Sequence, residues 1–387
     1  MSILSSYRPP GHGTPHPPRI GMLSCYPPTL CGQARFGSGL ATGLSTHGAE
    51  VSVVRIADGS VSESSRVVAE LVKGSAPSRA ACIDVLNHND VAVIQHSTEI
   101  DRGPDAEDVV EIIGALQVPS IVIAHSVPKS PTRQQRSGLE AMAGVADRVV
   151  VMSAAASKRL RENYQVARHK IAVIPHGATV PKDVARARRG RPTLVTWGLL
   201  APGKGIERVI DSMRSLKDLP GRPLYVVAGR NHPNAAPADA QAYREALIEQ
   251  AQRLGVADVV CFEDGYRNGA MLSGLAQSAA VVVLPYDSAD QVTSGVLVDA
   301  IANGRPVVAT AFPHACELLA TGAGIVVDHD DPNALVSALR RVLTEPRFSG
   351  ALAAEARRLA PELGWPVVAD AYLQLAHRTK VERRAAV

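Results

Sequence analysis

Two short stretches carry residue types suited to an anionic ligand. GLLAPGKGIERV (198–209) ends a β-rich run at Gly198, turns through Pro-Gly and opens a helical segment with Lys204 beside Gly205. Amides at a helix N-terminus attract anions, and a lysine there adds a point charge suited to a phosphate oxygen. The spacing differs from the GxxxxGK[ST] of a P-loop. In DQVTSGVLVDAIANGRPVVAT (290–310), Thr293, Ser294 and Gly295 form a small-residue turn whose amides, continuing into Val296, are expected to face a phosphate. The helix from about Val296 adds its dipole, and Gly295 keeps the ligand side clear. Asp299 follows one turn later, where a carboxylate accepts hydrogen bonds from a diol such as a ribose. Each feature has a plain structural reading, a surface lysine and a capped helix start. Two such helix starts at the carboxyl ends of one sheet predict a diphosphate ligand.

These turns need a scaffold, and the chain supplies one. Continuous apolar runs alternate with helix-like segments, the pattern of a parallel sheet buried on both faces. The first series is IGMLS (20–24), VSVVRI (51–56), VAVIQH (91–96), SIVIAH (120–125), RVVVMS (148–153) and IAVIPHG (171–177). Between them lie segments such as PDAEDVVEIIGAL, with Val109, Ile112, Ile113 and Leu116 at helical spacing after an acidic first turn. The pattern stops over ATVPKDVARARRGR (178–191) and resumes with TLVTWG (193–198), PLYVVAG (223–229), VVCFED (259–264), AVVVLPY (280–286), PVVAT (306–310) and GIVVDH (324–329). This predicts an α/β chain of two Rossmann-like domains, 19–177 and 192–364, joined by a linker at 178–191 and facing a central cleft. Ligands of such sheets sit beyond the carboxyl ends of the strands. The residues to examine there include Gly32, His96, His125, Ser153, His176, Gly198, Lys204 and Arg230.

Composition narrows the function further. The chain has 387 residues, enough for two cores, with 46% hydrophobic but only 4% aromatic residues. Lys+Arg number 41 against 37 Asp+Glu, a formal net charge of +4. That balance is too even for a dedicated nucleic-acid binder. Cysteines at 25, 31, 82, 261 and 316 form neither a disulfide framework nor a CxxC pair, which suits reduced cytoplasmic thiols; the Cys25–Cys31 spacing is poor for zinc. Residues 1–18, rich in Pro, Gly and His, lack the apolar core of a signal peptide and read as a disordered tail. No apolar run is long enough to cross a bilayer, although the basic clusters at 186–191 and 378–384 suit peripheral contact with anionic lipid. A clean GxGxxG with an acid about 20 residues on, as dinucleotide oxidoreductases carry, is missing.

Taken together, the residues resemble the family 4 retaining glycosyltransferases of GT-B fold, which use nucleotide-sugar donors. The resemblance covers Arg19 to Thr379 and is most specific in the second half. It implies that Lys204, in a loop after Gly198, holds the donor diphosphate, although Leu199 stands where an Arg is frequent. The family's two glutamates separated by seven residues correspond to Gln291 and Asp299, followed in register by GRPVVAT (304–310). Asp299 is thereby expected on the ribose hydroxyls, with the amides of Ser294, Gly295 and Val296 on the phosphates and Thr293 in the same donor-binding turn. YPPTLCGQARF (26–36) resembles the glycine loop near the donor phosphate, Gly32 being the residue carried over, and His125 the family's histidine beside the donor sugar. GWPVVADAYLQLAHRT resembles the terminal segment crossing back to the first domain, here 365–387. A branch with Gln-x-Thr-Ser-Gly makes Gln291 a variant of working enzymes, with Arg230 supplying the charge missing at Leu199; discrimination among donors is expected in sugar-facing residues and the backbone near Gly265 and Tyr266.

The implied reaction is transfer of a hexose, mannose or glucose, from a GDP- or UDP-sugar to a hydroxyl of a sugar, polysaccharide or lipid-linked acceptor, with retention. Lys204, the turn amides and Arg230 are expected to stabilise the leaving diphosphate, so neither a metal nor any other cofactor is implied. His125, Gln291 and Lys204 are the expected catalytic residues, in front-face attack at the inner face of the membrane or in the cytoplasm. A nucleotide-sugar epimerase and a binding protein without catalysis share the same features. An amide at 291 is neither base nor nucleophile and is expected to orient the donor sugar. Gln291→Glu is therefore expected not to raise turnover, and a many-fold gain would contradict the orienting role. His125→Ala is expected to lower transfer strongly while thermal unfolding stays near wild type; retained activity or a collapsed fold would remove His125 from the site.

Overall fold

The computed structural model describes residues 17–96, 106–182, 190–230, 236–265 and 267–385. Almost all of the expected N-terminal tail, the central part of the linker and Tyr266 thus lie outside the described residues.

The first half forms β1 (Arg19–Ser24), β2 (Glu50–Ile56), β3 (Val67–Leu71), β4 (Val91–His96), β5 (Ser120–Ala124), β6 (Arg148–Val151) and β7 (Ile171–Val173). Its helices are α1 (Gly32–Thr46), α2 (Ala76–Asn87), α3 (Ala106–Gly114), α4 (Arg133–Val145) and α5 (Ala154–Asn163). The second half forms β8 (Thr193–Trp197), β9 (Leu224–Ala228), β10 (Val260–Glu263), β11 (Val281–Leu284), β12 (Val307–Thr310) and β13 (Gly324–Val327). Its helices are α6 (Ile206–Leu216), α7 (Pro237–Arg253), α8 (Gly269–Ser278), α9 (Gly295–Ala302), α10 (Pro313–Leu319), α11 (Pro332–Thr344), α12 (Pro346–Leu359) and α13 (Trp365–Ala385).

All pairings are parallel, in the orders β3-β2-β1-β4-β5-β6-β7 and β10-β9-β8-β11-β12-β13. Parallel strands need crossovers, and the helices provide them while covering both sheet faces. The chain is therefore α/β with two Rossmann-like halves. In each sheet the strand order reverses once, between β1 and β4 and between β8 and β11, and a crevice opens there at the carboxyl ends. The apolar runs read from the sequence became strands of these sheets. β3 was not among them: VVAEL alternates half-buried and exposed positions at the sheet edge, so it lacks the continuous apolar signal of a central strand.

The two halves are joined twice. Ala178, leaving the first sheet, pairs with Gly364, where the chain returns, through Ala178 N–H to Leu363 O at 2.8 Å and Trp365 N–H to Ala178 O at 3.1 Å. α13 then lies on α1, burying Val368, Ala369, Tyr372, Leu375 and Ala376 in the core of the first half. Lys380 and Arg383 anchor its far end to Asp90 and Asp147, at 2.7 and 3.2 Å. The indole of Trp365 wedges against α1, where a Cβ on Gly39 would sit 2.2 Å from Cε2. Only a residue without a side chain fits that contact. Gly39→Ala is expected to cost about 1–3 kcal/mol by overpacking, and much less in a Trp365→Ala background. Equal losses of thermal stability in the two backgrounds would show that Trp365 does not set the constraint.

Candidate functional site

The second half brings its two anion-suited turns together at the β8/β11 crevice. Gly205 caps α6 with φ 64°, and a Cβ there would come 1.8 Å from Pro285 O, so the Lys204 loop is pressed against the end of β11. Asp287 N–H donates to Gly203 O at 2.9 Å and reinforces that seam. Lys204 Nζ lies 4.8 Å from the centroid of Tyr286, a buried ring that also packs on Phe312. The loop ending β8 meets the start of α9, a Cβ on Gly198 falling 3.9 Å from Val296 Cγ2.

At the start of α9, Ser294 Oγ accepts from Leu297 N–H at 3.3 Å. One sequence expectation is corrected here: the Ser294 amide donates to His314 Nδ1 at 2.9 Å, so it does not serve a ligand in this conformation. Gly295 and Val296 remain as first-turn amides without an intrahelical acceptor. Gln291 Nε2 donates to Thr293 O at 3.0 Å, which shapes the turn and leaves its amide oxygen as the group it can offer a ligand. Asp299 is also not an open carboxylate. Burial pushes its pKa up, opposed by Arg35 of α1, whose Nη2 sits 2.5 Å from Oδ2.

The first half grips this turn at several points. Asp290 is ion-paired with Arg159 and accepts from Lys129 N–H at 3.0 Å, while Arg159 also donates to Asp290 O at 2.8 Å. Val292 is buried in the cluster that holds Val127, Leu139, Val149 and Leu160 of the first half. Ser153 caps α5 and donates to Val292 O at 2.7 Å. Glu317 of α10 accepts from the first amides of α5, Ala154 and Ala155, at 2.8 and 3.0 Å, a favourable place for a carboxylate. His176 lies over Gly295, where a Cβ would be 3.0 Å from Nε2. That approach is the structural reason for a glycine at 295.

Opposite, His125 directly follows β5. Its Nε2 is 2.7 Å from Gln95 Oε1, and its ring packs edge-on against Phe36, which packs in the same way on His176 and Trp365. Burial is the main cause that depresses the pKa of His125 and His176 to about 3 and of His96 and His314 to about 4. His96 lowers His125 further, and Arg35 lowers His176. All four rings are therefore neutral at physiological pH. A narrow pocket lined by Arg35, Phe36, His176, Asp299, Asn303 and Trp365 among others lies between the halves.

Of the remaining expected residues, Gly32 is the exposed first residue of α1, and a Cβ there would meet nothing. Arg230 is exposed at the end of β9, its carbonyl accepting from Leu200 N–H at 2.7 Å. A guanidinium, that of Arg35, lies beside the α9 start, with Nη2 3.8 Å from where a Gly295 Cβ would sit. Sequence reasoning missed Arg35 and the roles of His176, His314 and Gln95. Arg35 falls within the glycine-loop stretch already singled out, whereas its contact with Asp299 spans 264 positions and has no local signature. Because these histidines are held neutral, the unfolded chain binds more protons than the folded one below pH 6.5. Stability is expected to fall as pH drops from about 6.5 toward 3–4; a flat thermal-unfolding profile over that window would contradict their burial.

Residues 31–180 match the family model described as Glycosyltransferase Family 4, and residues 182–359 match Glycosyl transferases group 1. Among curated relatives, the D-inositol 3-phosphate glycosyltransferase of Thermomonospora curvata is 29% identical over 62% of this chain and 58% of its own length. That of Streptomyces avermitilis is 29% identical over 61% and 54%. The chain thus spans less than two thirds of these relatives. Among solved structures, Anabaena HepE in complex with UDP and glucose superposes with a TM-score of 0.73 at 18% identity, covering 93% of this chain and 100% of that one. Sucrose-phosphate synthase of Thermosynechococcus elongatus gives 0.70 at 17%, covering 93% and 98%. One glycosyltransferase family model thus matches each half of the chain, and its fold, two Rossmann-like halves each built on a parallel sheet, is the GT-B fold of the solved structures.

Proposed function

We propose that the protein transfers a hexose, glucose or mannose, from a nucleoside-diphosphate donor to an acceptor hydroxyl with retention at the anomeric carbon. The observation that carries this reading is the convergence of the Lys204 loop and the α9 N-terminus in one crevice, with Asp299 one turn beyond the α9 start. A diphosphate fits the first two and a ribose diol the third. The UDP and glucose of the HepE complex, and the transferase names of the curated relatives, support the same donor class.

In this reading the acceptor oxygen bonds to the anomeric carbon as the bond from that carbon to the diphosphate breaks. The electron pair leaves with the diphosphate, whose oxygen takes the acceptor proton on the same face. The amides of Gly295 and Val296, with Lys204, stabilise the developing negative charge in a site already organised before the reaction. Arg35 must leave Asp299 when the ribose hydroxyls arrive, and it stays within reach of the α9 start as a further cation. This set supplies positive charge enough for a metal-independent reaction. His125 and Gln291 orient the sugar, and the acceptor falls to the first-half segment 126–136, a loop running into the start of α4. No helix among the described residues is long and apolar enough to cross a membrane. We assign the work to the cytoplasmic side, with peripheral contact where the acceptor is lipid-linked.

The test follows release of nucleoside diphosphate from UDP-glucose, GDP-mannose and related donors, with NMR of the anomeric proton of the product. Retained configuration, unchanged rates in EDTA and a loss of about 10²–10³-fold in Lys204→Ala are expected. Inverted product, or a reaction that stops in EDTA and returns with a divalent cation, would contradict the mechanism. Donor binding without turnover would leave a nucleotide-sugar-binding protein.

A further inference from the structure

Gln95 is fully enclosed at the end of β4, with no ligand role in the reading above, and it makes two strong hydrogen bonds. Ser24, also buried, donates its hydroxyl proton to Cys25 O. Ser24 Oγ can therefore only accept from Gln95, so the nitrogen end of the carboxamide, Nε2, faces it at 2.5 Å. The oxygen end then faces His125, and an amide oxygen only accepts. The ring nitrogen of His125 at that 2.7 Å contact must carry a proton. A neutral imidazole has one proton, so the other nitrogen, Nδ1, holds the lone pair. Nδ1 makes no hydrogen bond among the described residues, so it is the ring atom His125 has left to offer a ligand. Gly37 of α1 closes over the relay: a Cβ there would lie 2.5 Å from Ser24 Oγ and 2.8 Å from Gln95 Nε2.

We propose that Gln95, held by Ser24, is a positioning residue that fixes His125 as the Nε2–H tautomer and so presents an Nδ1 acceptor to a hydroxyl of the donor sugar. The proposal rests on the reading of His125 as donor-facing. Its chemistry favours a sugar carrying a neutral hydroxyl at that point. A carboxylate there, as in a uronic acid, would meet a lone pair instead of a proton. The buried amide suits this task better than a carboxylate, which would attract a second proton to the ring and abolish the acceptor.

The test uses the full chain labelled with ¹⁵N-histidine and long-range ¹H–¹⁵N spectra, with His125 assigned by its loss in His125→Gln. Wild type is expected to show a protonated Nε2 and an unprotonated Nδ1 from pH 5.5 to 8. Gln95→Leu is expected to average the two tautomers and lower kcat roughly 10–100-fold, the usual scale for loss of an orienting partner, with donor KM within about twofold. Gln95→Glu keeps an acceptor at Nε2 but raises the His125 pKa, so its pH–rate profile gains an acidic limb that wild type lacks. A protonated Nδ1 in wild type, an unchanged tautomer in Gln95→Leu, or no new limb in Gln95→Glu overturns the relay; the wild-type spectrum and Gln95→Glu decide if Gln95→Leu fails to fold. The stated tautomer without any sugar transfer would leave the relay standing and remove the functional reading. Transfer with a protonated Nδ1 would do the reverse.

Discussion

The site depends on the grip of the first half on the Asp290–Gly295 turn. Asp290 is clamped by Arg159 and the Lys129 amide, and Val292 is a core residue of the half to which it does not belong in sequence. A turn of small residues has no intrinsic reason to hold one shape, since Gly and Ser populate many backbone conformations. Here its geometry is fixed from outside by an ion pair, a buried side chain and the Ser153 hydrogen bond to Val292 O. Separating the halves would expose Val292 to water and leave Asp290 without its partners. Closure of the cleft and organisation of the α9 N-terminus are in that sense one event.

The electrostatics of the cleft follow from the same closure. Burial removes charge from His125, His176 and His314, so the positive charge beside Asp299 is that of Arg35 and the α9 dipole, with Lys204 over the Tyr286 ring. Neutral rings are useful there because they donate or accept according to tautomer without adding fixed charge. His314 accepts from Ser294 and His176 donates through Nδ1 to Gly177 O at 2.7 Å, so each neutral ring is set by one backbone group. His125 alone among these three takes its tautomer from a side chain. Arg35 and Asp299 partner each other across the cleft, and in the proposed function a ribose diol competes for that contact.

Much of the scaffold was legible because central parallel strands announce themselves as unbroken apolar runs. VAVIQH and AVVVLPY became β4 and β11 on that signal, while β3 was missed because an edge strand with one exposed face carries only a weak alternation. The turn at 293–295 and Asp299 were legible as types at a spacing. Their partners were not, since Arg35 sits mid-helix and meets Asp299 only after two domains fold and close. The Ser294 amide illustrates the limit in the other direction: its local sequence suits an anion seat, and a histidine 20 positions later takes the amide. Tyr266, expected beside the backbone that discriminates donors, lies outside the described residues.

The central claim is that this crevice is built for a nucleoside diphosphate carrying a sugar, and thermal unfolding against a panel of nucleotides and nucleotide-sugars tests it most directly. A ligand present at 100 times its dissociation constant stabilises the folded chain by about 2.7 kcal/mol. The account predicts a clear rise in melting temperature with one nucleoside diphosphate and its hexose conjugate, a smaller rise with the monophosphate, and a much reduced rise in Asp299→Ala. Equal melting temperatures across the whole panel would contradict it.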